Sequence, residues 1–142
     1  MATHTFATKL SPVSLLSLDE ALAEAAKSLP YYPLAIRTET STPYVLVLAD
    51  GLPNAVLRMT LAGDCQVTIP PHSSVAFPLG TRIAVDQWGE GQIHFVGGLG
   101  VEIRRALSAW SRRQYSRVWL EKLDQNGWLI YGDLEPIFDS PG

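Results

Sequence analysis

A chain of 142 residues, 46% hydrophobic and 18% charged, has room for one folded core and none for a second full domain. A formal net charge of -3 and a pI near 5.5 withhold the overall basic field that general nucleic-acid binding uses. Cys65 is the only cysteine, which excludes an intramolecular disulfide and a thiolate-rich metal site, and no apolar run approaches the roughly 20 residues that span a bilayer.

Met1 to Leu16 is rich in Thr, Ser and small apolar residues, is interrupted by Pro12, and reads as an extended arm. Lys9 is not followed by a continuous apolar core, so this stretch does not read as a secretory signal. Ser17 opens a helix: Asp19 and Glu20 fill its first turn, and Glu20 stands where a capping box requires it. Leu18, Leu22, Ala25, Ala26 and Leu29 fall on one face, opposite Glu20, Glu24 and Lys27, and Pro30 stops the run. An isolated helix this short is marginal in water. The stripe of Leu18, Leu22 and Leu29 is therefore expected to dock, on the chain's own β domain or on a neighbouring subunit.

Tyr31 to Thr42 reads as a connection restricted by Pro30, Pro33 and Pro43. Beyond it the pattern is β. Strands are expected at Tyr44 to Leu48, Ala55 to Thr60, Cys65 to Ile69, Arg82 to Gln87 and Gln92 to Val96, separated by Gly, Pro and Asp turn signals. Ile83 and Val85 share one face, as do Ile93 and Phe95, so Gly89-Glu90-Gly91 is expected to join an antiparallel hairpin. A short strand at Val101 to Ile103 leads to a helical turn at Ala106 to Trp110. Ser116 to Leu123 and Gly127 to Tyr131 then form a last hairpin, its Asn126-Gly127 step supplying positive φ. No repeat of fixed period stands out. The pattern predicts a mainly β, compact antiparallel sandwich or barrel-like domain over 44–134, with an N-terminal arm and one short helix at 1–43 as attachment region and a tail at 135–142.

The residues offer little chemistry. Gly97-Gly98-Leu99-Gly100 lacks the Lys-Ser/Thr or following helix of a phosphate loop. His4, His72 and His94 have no ligand spacing, so no metal is expected. Ser73 and Ser74 beside His72 lack a nucleophile elbow, and Asp86 and Glu90 near Trp88 are not singled out as a carboxylate pair. Cys65 reads as a small buried strand residue. No enzyme activity and no cofactor are expected.

The clearest charge feature is Arg104, Arg105, Arg112, Arg113 and Arg117, interleaved with Trp110 and Tyr115. Arginines beside aromatics suit single-stranded nucleic acid, and they equally suit a protein interface. In an acidic chain the reading ranks subunit contact first, with Arg104, Arg105, Trp110, Arg112, Arg113 and Tyr115 as interface residues. Trp88, Trp119 and Trp128 could form a carbohydrate platform, with Trp88 the candidate glycan contact, but on strands and hairpins all three read first as core or interface anchors.

One run of motifs is specific in its order. It starts at Tyr44-Val45-Leu46-Val47-Leu48-Ala49-Asp50, passes Val67-Thr68-Ile69-Pro70 and reaches Ser73-Ser74-Val75-Ala76-Phe77-Pro78-Leu79-Gly80-Thr81. It continues through Gly89-Glu90-Gly91-Gln92, Gly97-Gly98-Leu99-Gly100-Val101 and Gln114-Tyr115-Ser116, and closes at Trp128-Leu129-Ile130-Tyr131-Gly132-Asp133-Leu134. This run, about two thirds of the chain, resembles a small β module recurrent in tailed-bacteriophage virion proteins, often labelled tail fibre or structural protein. The resemblance implies a virion location and a homo-oligomer, in particular a trimer, with phage capsid or tail proteins as partners. His72 stands where the family pattern usually has Asn, and Arg104 to Arg113 replaces a stretch that is commonly glycine-rich and polar. The helix lies outside the match.

Within that frame a capsid cement or decoration protein would sit as a compact trimer on the shell, with residues 1–40 reaching across subunits. A tail fibre or spike component would anchor through the same residues and meet a host-surface glycan. No coiled-coil or repetitive shaft is visible, which favours the compact cement role. A glycan-binding module or an envelope hydrolase is the contrasting class.

Overall fold

The computed structural model describes residues 17–28 and 33–137. The chain divides into two compact units, Met1–Tyr32 and Pro33–Gly142.

In the first unit α1 spans Leu18–Ser28. The Glu20 N–H donates to Ser17 Oγ at 3.1 Å, and the Ser17 hydroxyl donates to Glu20 Oε1 at 3.1 Å, so the expected capping pair forms. Leu18 and Leu22 are exposed. Leu29 and the arm at 1–16 lie outside the described residues.

The second unit is mainly β. Its strands are β1 (Ala35–Glu39), β2 (Tyr44–Val45), β3 (Ala55–Met59), β4 (Cys65–Ile69), β5 (Arg82–Gln87), β6 (Ile93–Gly97), β7 (Glu102–Arg105), β8 (Arg117–Asp124) and β9 (Gly127–Gly132). They form a six-stranded sheet in the order β1-β3-β5-β8-β9-β7 and a three-stranded sheet in the order β2-β4-β6. Through the first six strands the chain alternates between the sheets, so each round trip lays a coil beside the previous one, with all neighbours parallel. This is a solenoid-like stack and not the expected antiparallel arrangement. Ala35 faces Ala55 and Val56 faces Ala84, while Tyr44 faces Val67 and Cys65 faces Ile93. These steps are unequal, which is why no fixed period is visible in the sequence.

The expected hairpin at Gly89-Glu90-Gly91 is a coil corner. It lies on the corner of the coil before it: the Gly91 N–H donates to the Leu61 carbonyl at 3.0 Å and the Cys65 N–H to the Gln92 carbonyl at 2.9 Å. A Cβ on Gly89 would run into the Leu61 carbonyl, and one on Gly91 into that of Gly63. Glycine is required there by close backbone approach, and β5 and β6 belong to different sheets.

Four further expectations are corrected. β1 belongs to the large sheet, so the β unit opens at Pro33 and not at Tyr44. The strand from Tyr44 stops at Val45, because the Asp50 carboxylate accepts the Val47 N–H at 2.9 Å and folds Leu48–Gly51 into a 3-10 turn. Ala106 to Trp110 is not helical. Its main chain runs antiparallel along β6 instead, with the Phe95 N–H donating to the Ala109 carbonyl at 2.8 Å and the Ser111 N–H to that of Ile93 at 2.9 Å. The β8–β9 hairpin forms as expected, but without positive φ at Gly127; a Cβ there would meet Asp124 Oδ1 at 2.5 Å.

One core fills the space between the sheets. Leu57, Met59, Ile83, Val85, Val118, Leu120 and Ile130 of the large sheet pack with Cys65, Val67, Ile69, Ile93 and Phe95 of the small one. Phe77 meets Trp128 edge-on, their centroids 5.5 Å apart. Each such side chain contributes about 1.5–3 kcal/mol on burial. The expected small buried residue at Cys65 is found, and burial with the nearby Asp64 charge pushes its thiol up to about 11, so it stays protonated near neutrality.

Candidate interaction surface

The two ends of the coil stack differ. Beyond the third coil the large sheet continues through β8, β9 and β7, and residues 108–111 cover the edge of β6. Within the described residues of the β unit, nothing comparable covers the first coil. There β1 and β2 are edge strands, and Leu34, Ile36, Val45, Val47, Leu48 and Leu52 are all exposed. An edge strand offers a row of unpaired donors and acceptors.

The geometry of that edge is fixed by polar contacts. Asp50 is buried beneath it and holds three partners: Arg37 Nη2 at 2.5 Å, the Tyr44 hydroxyl at 2.8 Å and the Val47 N–H. The Arg37 guanidinium also lies 5.4 Å from the Tyr44 ring centroid. These bonds tie β1, β2 and the 3-10 turn into one rigid rim.

The outer face of the large sheet carries a second constellation. Arg58, Asp86 and Arg117 stand in one row across β3, β5 and β8. Arg117 donates from Nε to Asp86 Oδ1 at 2.6 Å and from Nη2 to Oδ2 at 2.9 Å, and Arg58 Nε reaches Oδ2 at 3.3 Å. The bond to Asp86 raises the Arg117 pKa above its ordinary value. Arg58 lies over the Trp88 ring, 3.8 Å from its centroid, and Tyr115 meets the same ring at 5.0 Å between centroids. Trp88 is 39% exposed, with one face already taken by a guanidinium. A groove of about 440 Å³ beside this row is lined by Leu52, Asn54, Val56, Thr81, Arg82 and Trp119, among others.

The arginine-rich stretch does not form one cationic patch. Arg104, on β7, reaches Glu102 and Asp124 at 3.4 Å each, and Arg112 reaches Asp133 at 3.6 Å. Arg105 donates to the Leu107 carbonyl at 2.8 Å. Arg113 alone of the group has an exposed guanidinium without a partner among the described residues, its main chain being held by Ser116 Oγ at 3.1 Å. Trp110 stacks on His94 at 4.3 Å between centroids, and Tyr115 is exposed at a φ of 73°.

A buried polar network pins this stretch to the body. The Ile93 N–H donates to Ser111 Oγ, whose hydroxyl donates to Gln87 Oε1, both at 2.7 Å. Gln92 Nε2 reaches the Ser111 carbonyl at 2.8 Å and Glu135 Oε2 at 2.6 Å. On the opposite side of the core, Lys122 is 2% exposed; its Nζ lies 2.7 Å from His72 Nδ1 and donates to the Phe77 carbonyl at 2.7 Å. Burial lowers the Lys122 pKa. No group of three or more His, Cys, Asp or Glu side chains among the described residues is placed to hold a metal ion.

Comparison with protein-family models, with the curated proteins and with the solved structures found no match.

Sequence reasoning missed β1 as an edge strand and the Arg58-Asp86-Arg117 row. A signal for the row exists: Arg58 and Asp86 each interrupt an apolar strand, which charged side chains rarely do unless paired.

Proposed function

We propose that this chain is a non-enzymatic structural subunit of a tailed-bacteriophage particle, a homo-oligomer acting as a capsid cement or decoration protein. The observation that carries the assembly part is the contrast between the two ends of its coil stack. One is closed by the β unit itself, and at the other the described residues of that unit leave two edge strands and six large apolar side chains uncovered. Repeat-like stacks require a cap at each end, so an uncapped rim is a place for another chain to add.

The virion setting rests on the resemblance of residues 44–134 to phage modules. The two-sheet body supplies a rigid block. Apolar area covered at its rim is worth roughly 25 cal/mol per Å², and the gain multiplies over many copies on a shell. Clamping of that kind would resist pressure from a packaged genome. The tail-fibre alternative, with a host glycan as ligand, draws less support because the Trp88 ring is engaged by Arg58 and Tyr115.

The test is a mass measurement of the purified chain joined to an incorporation assay with phage particles. Oligomers that bind particles and raise their resistance to heating are expected. A chain that remains monomeric at high micromolar concentration and ignores particles would end the reading.

A further inference from the structure

We propose that, in place of the trimer the resemblance implies, the open rim pairs with the rim of a second copy through antiparallel β1–β1 contact about a twofold axis at Thr38. This deepens the assembly reading above and rests on it.

The main-chain groups of β1 that face outward set the possible pairings. The Ala35 N–H donates to the Asn54 carbonyl at 2.8 Å and the Glu39 carbonyl accepts from the Thr60 N–H at 3.1 Å. In a parallel ladder the residues bonding the neighbour alternate, so Ala35, Arg37 and Glu39 bond β3. Ile36 and Thr38 therefore aim their N–H and C=O groups at the open edge. A second strand must match those groups, which restricts the register.

Charge ranks the registers that remain: a twofold at Ile36 sets Arg37 opposite Ala35 and forms no ion pair. A twofold at Arg37 would set Arg37 against its own copy, and like charges directly opposite destabilise a pair. A twofold at Thr38 pairs Thr38 with Thr38 through two main-chain bonds and places Arg37 opposite Glu39 of the second copy, twice by symmetry. Both side chains have capacity left for this. Arg37 uses Nη2 on Asp50 and is 43% exposed, and among the described residues Glu39 accepts at its carboxylate from Ser41 alone, at Oε1. The same contact joins two six-stranded sheets into one and brings the exposed Ile36 side chains under cover. It is isologous, the commonest form of closed assembly.

Analytical ultracentrifugation of the full chain and its variants tests this. The natural chain is expected to be a dimer. Glu39→Arg, which sets Arg37 against a second guanidinium across the axis, is expected to weaken it by at least about tenfold, and Arg37→Glu likewise. Mixing the two variants restores complementary pairs and is expected to give a heterodimer. Should Arg37→Glu misfold beside Asp50, Thr38→Pro serves in its place: it deletes an outward N–H without touching the β3 ladder, as edge strands tolerate, and is expected to give a folded monomer by circular dichroism. A trimer, or a dimer indifferent to Glu39→Arg and Thr38→Pro, overturns the strand pairing and leaves the assembly reading standing. A natural chain that is monomeric and ignores particles overturns both.

Discussion

Arg117 grips Asp86 with a two-pronged bond, 2.6 and 2.9 Å, across adjacent strands of the large sheet, and the carboxylate is 2% exposed. Arg58 adds a third bond from the other side. Asp86 thus stands between two cations, and its removal would leave both without a counter-charge.

Asp86→Ala is expected to destabilise the fold by about 2 kcal/mol, below the usual figure for a fully buried pair because water reaches the guanidinium groups. Urea unfolding followed by tryptophan fluorescence measures it. A loss under about 0.5 kcal/mol would mean that the row is ornamental to stability.

The coil-corner geometry gives a sharper test of topology. Gly91→Ala drives a methyl into the Gly63 carbonyl, whereas a Cβ on Gly63 meets nothing within 4 Å. A drop of about 2–3 kcal/mol is expected for the first and little change for the second, because overpacked backbone cannot relax like a side chain. A free hairpin turn at Gly89-Glu90-Gly91 would tolerate both substitutions, and that result would argue against stacked coils.

Strands of this protein are legible where their own residues alternate. Cys65–Ile69 matches its expected bounds with period-two burial, and Arg82–Gln87 matches as a short run buried on both faces between turn signals, both being local properties. Which strand lies beside which is not local: Ile83 and Val85 alternate in the same way whether the neighbour is parallel or antiparallel. Glycine at a corner and glycine in a hairpin look identical until Leu61 and Gly63 are placed against them. β1 is hidden from such a reading because an exposed edge strand lacks the apolar alternation that marks a buried one. The Asp86 pairs join residues 28 and 31 positions apart, beyond any window of periodicity. The helix cap at Ser17, by contrast, spans a single turn and is fully readable.

Lys122 makes stability depend on pH. Its folded pKa is lowered from 10.5, chiefly by burial, so between the two values the unfolded chain binds more protons than the folded one. Stability from this group therefore rises with pH through the window ending near 10.5, and the cost of burying the charge is complete below the folded value. The groups facing the ammonium are His72 Nδ1 and the Phe77 carbonyl, with the Asp124 charge opposing the shift. Lys122→Met removes the titration. Denaturant melts of the natural chain and the variant, repeated from about pH 7 to 10.5, are expected to show the natural chain gaining on the variant as pH rises. Parallel curves would contradict a lowered pKa.

Reversal at Arg112 and Arg113 separates the arginine-rich stretch from the open rim as the seat of assembly. Arg112 already has Asp133 at 3.6 Å, so Arg112→Glu places two acids together and is expected to cost up to about 1 kcal/mol of stability. Arg113 has no carboxylate partner among the described residues, and Arg113→Glu leaves the fold intact. If the stretch contacts a neighbouring subunit, Arg113→Glu weakens the oligomer by several-fold at unchanged melting temperature, because reversing a rim charge acts on association. If assembly runs through β1 alone, the oligomer is indifferent to Arg113→Glu and responds to Glu39→Arg. Sedimentation of the two variants side by side reads the answer directly.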